Sequence, residues 1–92
     1  MNTYELTLLF PETAEADRTR VLKMIADFIK KHKGEVNKQE EWGAKHLAYE
    51  IKKLKTAIYD HMLITLEPAD QVELNRILKL EESLLRYLFV RV

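Results

Sequence analysis

The sequence predicts an α+β domain whose elements follow one another in the order β-α-β-β-α-β. Two kinds of hydrophobic spacing support this prediction. Apolar residues alternate with period two in four segments, as in strands, and recur every three or four residues in two others, as in amphipathic helices. With 92 residues, of which 47 % are hydrophobic and 33 % charged, the chain has the composition of a compact protein. We expect one domain over residues 1–92.

The first strand is predicted over residues 3–10, and the first helix follows it. Alternate residues of the strand would face the core, namely Tyr4, Leu6, Leu8 and Phe10. Pro11 ends this strand. The helix is indicated by apolar residues at helical spacing from Val21 to Ile29. Before them, capping and first-turn acidic residues are supplied by Glu12, Thr13 and Glu15. We expect Gly34 to stand at its C-cap.

A long extended segment, residues 35–53, predicts the second strand. Its apolar residues change parity between Trp42 and Leu47, so a bulge or bend is expected near Gly43. A turn over residues 52–56 would lead into the third strand, residues 57–66. That strand is expected to bury four residues in phase: Ile58, Met62, Ile64 and Leu66.

The second helix is predicted to begin with a capping box formed by Asp70 and Glu73. Its apolar residues are Val72, Leu74, Ile77, Leu78 and Leu80. The last strand would cover residues 84–92, with Leu88 and Val90 facing the helices. This order is the split-βαβ or ferredoxin-like fold, in which one four-stranded antiparallel sheet carries both helices on one face. Right-handed crossovers place strands one and three in the middle.

Composition excludes several classes of function. Fifteen basic and fifteen acidic residues leave no formal net charge, so no global cationic field attracts nucleic acid or membrane. The absence of cysteine excludes disulfides and thiolate metal sites. Because the chain begins with neither a signal sequence nor a membrane-spanning stretch, we expect a cytoplasmic protein without membrane contact.

A catalytic site is not indicated. The three histidines lack the spacing of metal ligands, and no phosphate-binding loop or nucleophile motif is present. Glu40 and Glu41 are adjacent, but neighbours on a strand point to opposite faces and cannot act on one substrate atom. We therefore predict no enzyme activity, no cofactor, no metal and no small-molecule substrate.

The sheet face away from the helices is expected to be apolar, although a solvated face should be polar. If the even-numbered residues of the first strand face the helices, this face receives Leu9, Tyr59, Leu63, Tyr87 and Phe89. Scattered surface aromatics are common. Five large residues on three adjoining strands favour instead an interface with a protein partner.

A local basic stretch is the second candidate site. Between residues 45 and 55 the chain has one carboxylate, Glu50, together with His46 and four lysines: Lys45, Lys52, Lys53 and Lys55. Together with Arg86 and Arg91 they could contact phosphates. Lysines on an edge strand also prevent edge-to-edge pairing, and the basic stretch alone favours that simpler explanation.

The segment from Glu41 to Lys53 carries a specific pattern, W-G-x-(R/K)-x-L-A-Y-x-I-x-K. It is filled by Trp42, Gly43, Lys45, Leu47, Ala48, Tyr49, Ile51 and Lys53. With Tyr4-Glu5 and the basic-apolar last strand, the chain resembles the family of the sixth protein of the bacterial small ribosomal subunit. The resemblance implies a ferredoxin-like ribosomal protein that binds the central domain of 16S ribosomal RNA together with the eighteenth small-subunit protein.

That resemblance gives both candidate sites a role. The RNA contacts would be Lys45, Lys53, Arg86, Arg91 and Tyr4. The apolar face would bind the protein partner. An alternative from another class is a dimeric ferredoxin-like ligand-binding or isomerase-like module, which pairs through the same face. His61 is its only candidate acid or base, and it leaves the Trp42–Lys53 pattern unexplained.

Overall fold

The computed structural model describes residues 1–92 as one antiparallel sheet with two helices. The elements are β1 (Asn2–Phe10), α1 (Glu15–Lys31), β2 (Glu35–Ile51), β3 (Leu54–Leu66), α2 (Pro68–Lys79) and β4 (Arg86–Arg91). The strand order is β2-β3-β1-β4, so β1 and β3 occupy the middle. The predicted fold class and sheet order are therefore confirmed.

The core lies between the sheet and the two helices. All four residues predicted to face inward from β1 are buried, and they pack against Val21, Ile25 and Ile29 of α1. β3 and α2 complete the cluster with Met62, Ile64, Leu66, Leu74 and Leu78. Each such side chain contributes roughly 1.5–3 kcal/mol on leaving water. Neither helix is long and apolar enough to cross a membrane.

The ends of α1 differ from the prediction. Its N-cap is Ala14, which has no side-chain acceptor, so neither Glu12 nor Thr13 caps the helix, whereas Glu15 lies in the first turn as expected. At the other end Lys33, with φ 60°, adopts the left-handed conformation expected of a glycine. Gly34 follows it, and its N–H donates to the Ile29 carbonyl at 2.8 Å. A Cβ on Gly34 would lie 2.5 Å from the Thr65 carbonyl oxygen, so close packing requires the glycine.

The start of α2 also differs from the prediction. Glu67 is the N-cap and Pro68 occupies the first turn, where its missing N–H is not needed. Asp70 consequently lies inside the first turn, and its Oδ1 is 3.2 Å from Nδ1 of His32 rather than closing a capping box with Glu73. Two apolar residues predicted for the buried face are exposed instead: Val72 and Leu80.

The β2–β3 hairpin contains the predicted bulge and a shorter turn than expected. The register shifts by one residue between Glu41 and Gly43, and Gly43 has φ +78°. β3 begins at Leu54 rather than residue 57, so the turn consists of Lys52 and Lys53 alone. Both have positive φ, 50° and 66°, as in the two-residue turns that match the twist of paired strands.

The predicted phase of β4 is wrong by one residue. Tyr87 pairs with Leu8 and Phe89 pairs with Leu6, and directly paired residues share a face. Tyr87 and Phe89 therefore face the helices, whereas Leu88 and Val90 face the opposite side. The segment is apolar at both parities, so alternation could not choose between the two phases.

Contacts of the two aromatic residues fix this phase. The Phe89 ring meets Tyr4 edge to face, with centroids 6.3 Å apart. The Tyr87 hydroxyl donates to the Asn75 carbonyl of α2 at 3.2 Å. Leu84, which the prediction placed in the strand, is buried in the loop before it. Because β4 begins only at Arg86, the burial of Leu84 does not indicate which side of the strand faces the core.

Candidate nucleic-acid and protein interfaces

We call the sheet face away from the helices the open face. By register it carries Thr3, Glu5, Thr7, Leu9, Tyr59, His61, Leu63, Thr65, Arg86, Leu88 and Val90. Of the five residues predicted to form an apolar patch there, Leu9, Tyr59 and Leu63 are present. Tyr87 and Phe89 are not, and the exposed Leu88 (59 %) and Val90 (45 %) take their places. The open face is therefore apolar in part, but with a different membership on β4.

The hairpin beyond Gly43, residues 44–56, forms what we call the basic arm. Its four lysines are all exposed: Lys45, Lys52, Lys53 and Lys55. None of them forms an ion pair, although Arg18, Arg20, Lys38 and Arg76 elsewhere all do. No neighbouring carboxylate offsets the attraction of an unpaired lysine for an external anion. The arm is thus a local cationic surface on a neutral protein.

The arm lies beside the open face and borders an apolar cleft of about 270 Å³ that is open to solvent on one side. Its lining residues are Thr7, Leu9, Leu47, Ala48, Tyr49, Ile51, Tyr59, Arg86, Tyr87 and Leu88. Leu9 is only 8 % exposed as a result. The register shift between His46 and Ile51 frees this part of β2 from regular pairing with β3.

Arg86 joins β4 to the arm. Its guanidinium carbon lies 5.3 Å from the centroid of the Tyr49 ring, and Nη1 donates a hydrogen bond to the Tyr49 hydroxyl. This cation–π contact is stabilising at a partly exposed position. The structure therefore brings three predicted RNA-contact residues to one end of the molecule: Lys45, Lys53 and Arg86.

The other two predicted RNA contacts lie elsewhere. Arg91 is exposed but is on the opposite face of β4 from Arg86, and its Nη2 donates to Oδ1 of Asn2 at 3.3 Å. Tyr4 is 7 % exposed and belongs to the core. Its ring is not free to stack on a base, because it packs against Phe89.

Trp42 is a surface feature that sequence reasoning did not assign. The residue is 44 % exposed, and its indole lies parallel to His61 with the ring centroids 4.7 Å apart. Nε1 donates to Oε2 of Glu40 at 3.4 Å. Lys38 is 2.8 Å from the other Glu40 oxygen and, with Trp42, lowers the pKa of that carboxyl. The twelve-residue pattern contains Trp42, but only the fold places it on the open face.

A buried ion pair fastens α1 to the sheet. Arg18 donates to both carboxylate oxygens of Asp60, at 2.6 and 2.7 Å, and lies 3.1 Å from Glu41. The hydrogen bond to Asp60 raises the pKa of Arg18, so the guanidinium stays charged. Glu41 points to the helix side while Glu40 points to the open face, as strand alternation predicts. The Arg18–Asp60 pair is satisfied on both sides, which is typical of a structural contact.

Enzyme-like chemistry finds no support in the cleft. His61, the one acid or base of the isomerase alternative, does not line it. Its Nδ1 is buried without a partner, and its Nε2 is 3.9 Å from Glu5. The titratable groups that do line the cleft are three tyrosines and Arg86. No group of three or more histidine or carboxylate side chains is arranged to hold a metal.

Comparison with known proteins gives a consistent result over the whole chain. The family profile described as ribosomal protein S6 matches residues 3–91. The small ribosomal subunit protein bS6 of Desulforamulus reducens is 34 % identical over 92 residues, covering 99 % of this chain and 97 % of the relative. The protein of the same description from Symbiobacterium thermophilum is 37 % identical with the same coverage.

Two solved structures share the fold. The 30S ribosomal protein S6 of Thermotoga maritima superimposes with a TM-score of 0.88 at 24 % identity, covering 99 % of this chain and 87 % of that one. The C-terminal domain of the MgtC protein of Mycobacterium tuberculosis gives a TM-score of 0.67 at 14 % identity, covering 100 % and 88 %. The second likeness shows that this fold also occurs outside ribosomal proteins.

Proposed function

The chain belongs to the ribosomal protein S6 family, and from that premise we propose that it binds the central domain of 16S ribosomal RNA together with the eighteenth small-subunit protein. Its relatives are constituents of the small ribosomal subunit and not enzymes. The proposed role is therefore structural: the chain occupies a fixed place on the RNA and presents a second surface to a protein.

The observation that carries the RNA part of this proposal is the basic arm. RNA binding by counterion release needs cations that face the solvent, and the net charge of zero means that they must be concentrated locally. The arm supplies four unpaired lysines around a two-residue tip. Arg86 adds a guanidinium beside them, held by Tyr49, and a guanidinium suits phosphate geometry.

The protein part of the proposal is supported by the open face. Leu88 and Val90 of β4 are exposed there, and Leu63 of β3 lies across Glu5 from Val90, although a solvated sheet face should be polar. A contact that buries these three side chains removes apolar surface from water. RNA would not achieve this, because its accessible outer surface is largely charged phosphate.

Reconstitution tests the whole proposal. A central-domain RNA fragment is titrated with this protein, with protein eighteen and with both, and binding to small subunits is followed by co-sedimentation. Because so few phosphates can be neutralised, we expect weak binding by this protein alone and tight binding by the pair. Tight, specific binding by the isolated protein, or no effect of protein eighteen, would contradict the proposal.

Single alanine variants test the arm. Lys45→Ala, Lys53→Ala and Arg86→Ala should each weaken the ternary complex by about 1 kcal/mol and reduce the salt slope by about one. Lys23→Ala, an exposed lysine on α1, is the matched control and should change neither quantity. Equal behaviour of the control and the arm variants would refute the assignment.

The two remaining proposed RNA contacts enter the same series. Arg91→Ala should have a smaller effect than Arg86→Ala, because its side chain points to the other face of β4. Tyr4→Phe removes only the hydroxyl, which accepts from Asn2 at 3.4 Å, and preserves the packed ring. A loss of RNA affinity in that variant would assign the contact to the hydroxyl.

A further inference from the structure

Tyr49 connects the two edge strands of the sheet. The strand order β2-β3-β1-β4 places β2 and β4 at opposite edges, with two strands between them. Neighbouring strands lie about 4.8 Å apart, so the two edges of a flat sheet of this order are separated by roughly 14 Å. Tyr49 belongs to β2 and Arg86 to β4, yet the Arg86 guanidinium carbon is only 5.3 Å from the centroid of the Tyr49 ring. The two side chains therefore meet across the width of the sheet.

An irregular segment of β2 makes this contact possible. The register shift between His46 and Ile51 leaves residues 47–50 of β2 opposite Lys55 alone. Extra residues in one strand leave the regular pairing, and the direction of their side chains changes. Tyr49 lies in this segment and is 59 % exposed, so burial in the core does not hold its ring. Its described polar contact is the hydrogen bond with Arg86.

The guanidinium of Arg86 keeps its charge and most of its donors for an external ligand. The residue is exposed and forms no ion pair with a carboxylate. Arginine has five N–H donors in one plane, and only Nη1 donates to the Tyr49 hydroxyl. The aromatic ring thus fixes the position of the guanidinium without neutralising it.

A cation that is held in place before binding is more effective than a mobile one. A long side chain loses rotational freedom when it binds, and a side chain already ordered loses less. The lysines of the basic arm are point charges on flexible stems and have no ion-pair partner to order them. Arg86 is different, because the Tyr49 ring and hydroxyl order its planar guanidinium next to the arm.

We propose that Tyr49 is a positioning residue for RNA binding: it holds the Arg86 guanidinium where an RNA phosphate meets it and joins that charge to the lysines of the basic arm. Tyr49 adds no charge of its own. The two residues are 37 positions apart in the chain, so the irregular segment of β2 unites two separate sources of positive charge. The inference rests on the proposed function and adds to it a residue that acts through another.

The substitution Tyr49→Leu tests this role in the ternary complex with RNA and protein eighteen. RNA affinity should fall about two- to fivefold, as expected for loss of an exposed cation–π contact. The salt slope, which is the change of log affinity with log salt concentration, should also decrease, although no formal charge is removed. Tyr49→Phe keeps the ring beside the guanidinium and should restore most of the affinity.

A double-mutant cycle with Arg86→Ala separates positioning from direct contact. In the Arg86→Ala background, Tyr49→Leu should have no further effect on RNA binding, because no guanidinium remains to be positioned. Tyr59→Leu is the matched control, since Tyr59 lines the same cleft without a cation–π contact to Arg86. The control should leave the salt slope unchanged. Urea unfolding of each variant checks that the fold is intact.

Four results would overturn the inference. An effect of Tyr49→Leu that persists in the Arg86→Ala background would mean that the tyrosine itself contacts RNA. A lower free energy of unfolding with an unchanged salt slope would mean a structural role only. An equal decrease of the salt slope in Tyr59→Leu would mean that any damage to the cleft has this effect. Weaker pairing with protein eighteen, measured by calorimetry without RNA, would assign the contact to the protein partner.

The lysine variants distinguish failure of this inference from failure of the proposed function. If Lys45→Ala and Lys53→Ala weaken RNA binding and Tyr49→Leu does not, the inference is wrong while the proposed function stands. If neither lysine variant changes RNA binding, the basic arm is not the RNA contact, and both the proposed RNA site and this inference are refuted.

Discussion

Substitution of two neighbouring residues of β4 tests which side of this strand faces the core. Phe→Ala at a fully buried position costs about 3–5 kcal/mol of unfolding free energy. Phe89 keeps part of its surface in solvent, but its ring packs edge to face against Tyr4 and Tyr87, with centroid separations of 6.3 and 6.1 Å. We therefore expect Phe89→Ala to cost about 2–3 kcal/mol. Leu88 is 59 % exposed, and Leu88→Ala should cost about 0.5 kcal/mol or less.

Urea unfolding followed by circular dichroism measures both values. A domain of this size has about 5–10 kcal/mol of stability, so both variants should remain folded. The slope of the transition should stay the same, which makes the shift in midpoint a direct measure of stability. If Leu88→Ala proves the more destabilising of the two, the strand has the opposite phase and the description of the open face is wrong.

Three further predictions concern stability. Asp60→Ala should cost about 3 kcal/mol of unfolding free energy, because it leaves the mostly buried Arg18 guanidinium with only the exposed Glu41 carboxylate as a partner. Arg18→Met combined with Asp60→Leu should cost less than the sum of the single changes in a urea double-mutant cycle. Lys53→Gly should raise the free energy of unfolding by about 1 kcal/mol, since φ is +66° there and glycine adopts that conformation without strain; an unchanged urea midpoint would count against it. The hydrogen bond from the Arg20 guanidinium lowers the pKa of Glu81. The pair therefore stabilises the fold at pH values above the ordinary carboxyl pKa, and this stabilisation is lost as the pH falls through the lowered pKa. The difference in unfolding free energy between wild type and Glu81→Gln should narrow below about pH 4.

The order of elements could be predicted from sequence because it depends on local periodicity. A strand that buries one side shows alternation, as between Tyr4 and Phe10, and a helix that buries one stripe repeats every three or four residues. The bulge at Gly43 was predictable for the same reason, since a change of apolar parity within one strand requires an extra residue. The basic arm was also visible, because its lysines are close together in the chain.

Local signals misplaced the helix ends and the turn. Asp70 and Glu73 have the spacing of a capping box, but Pro68 starts the helix earlier because proline fits its first turn. The tip of the hairpin lacks the usual Asn-Gly pair, and Lys52 and Lys53 adopt its left-handed conformations instead. Pairing of the long strands on either side closes the turn there, although the residues at its tip do not favour it.

Which residues of β4 join the core and which join the open face was decided by tertiary structure alone. The last strand is apolar on both sides, so only its hydrogen bonding to β1 determines that Phe89 is buried and Leu88 exposed. Asp60 and Arg18 are 42 residues apart and carry no mutual signal in the sequence. Periodicity reports which residues of one element share a side, whereas the register between elements determines what that side meets, and register is a property of the whole sheet.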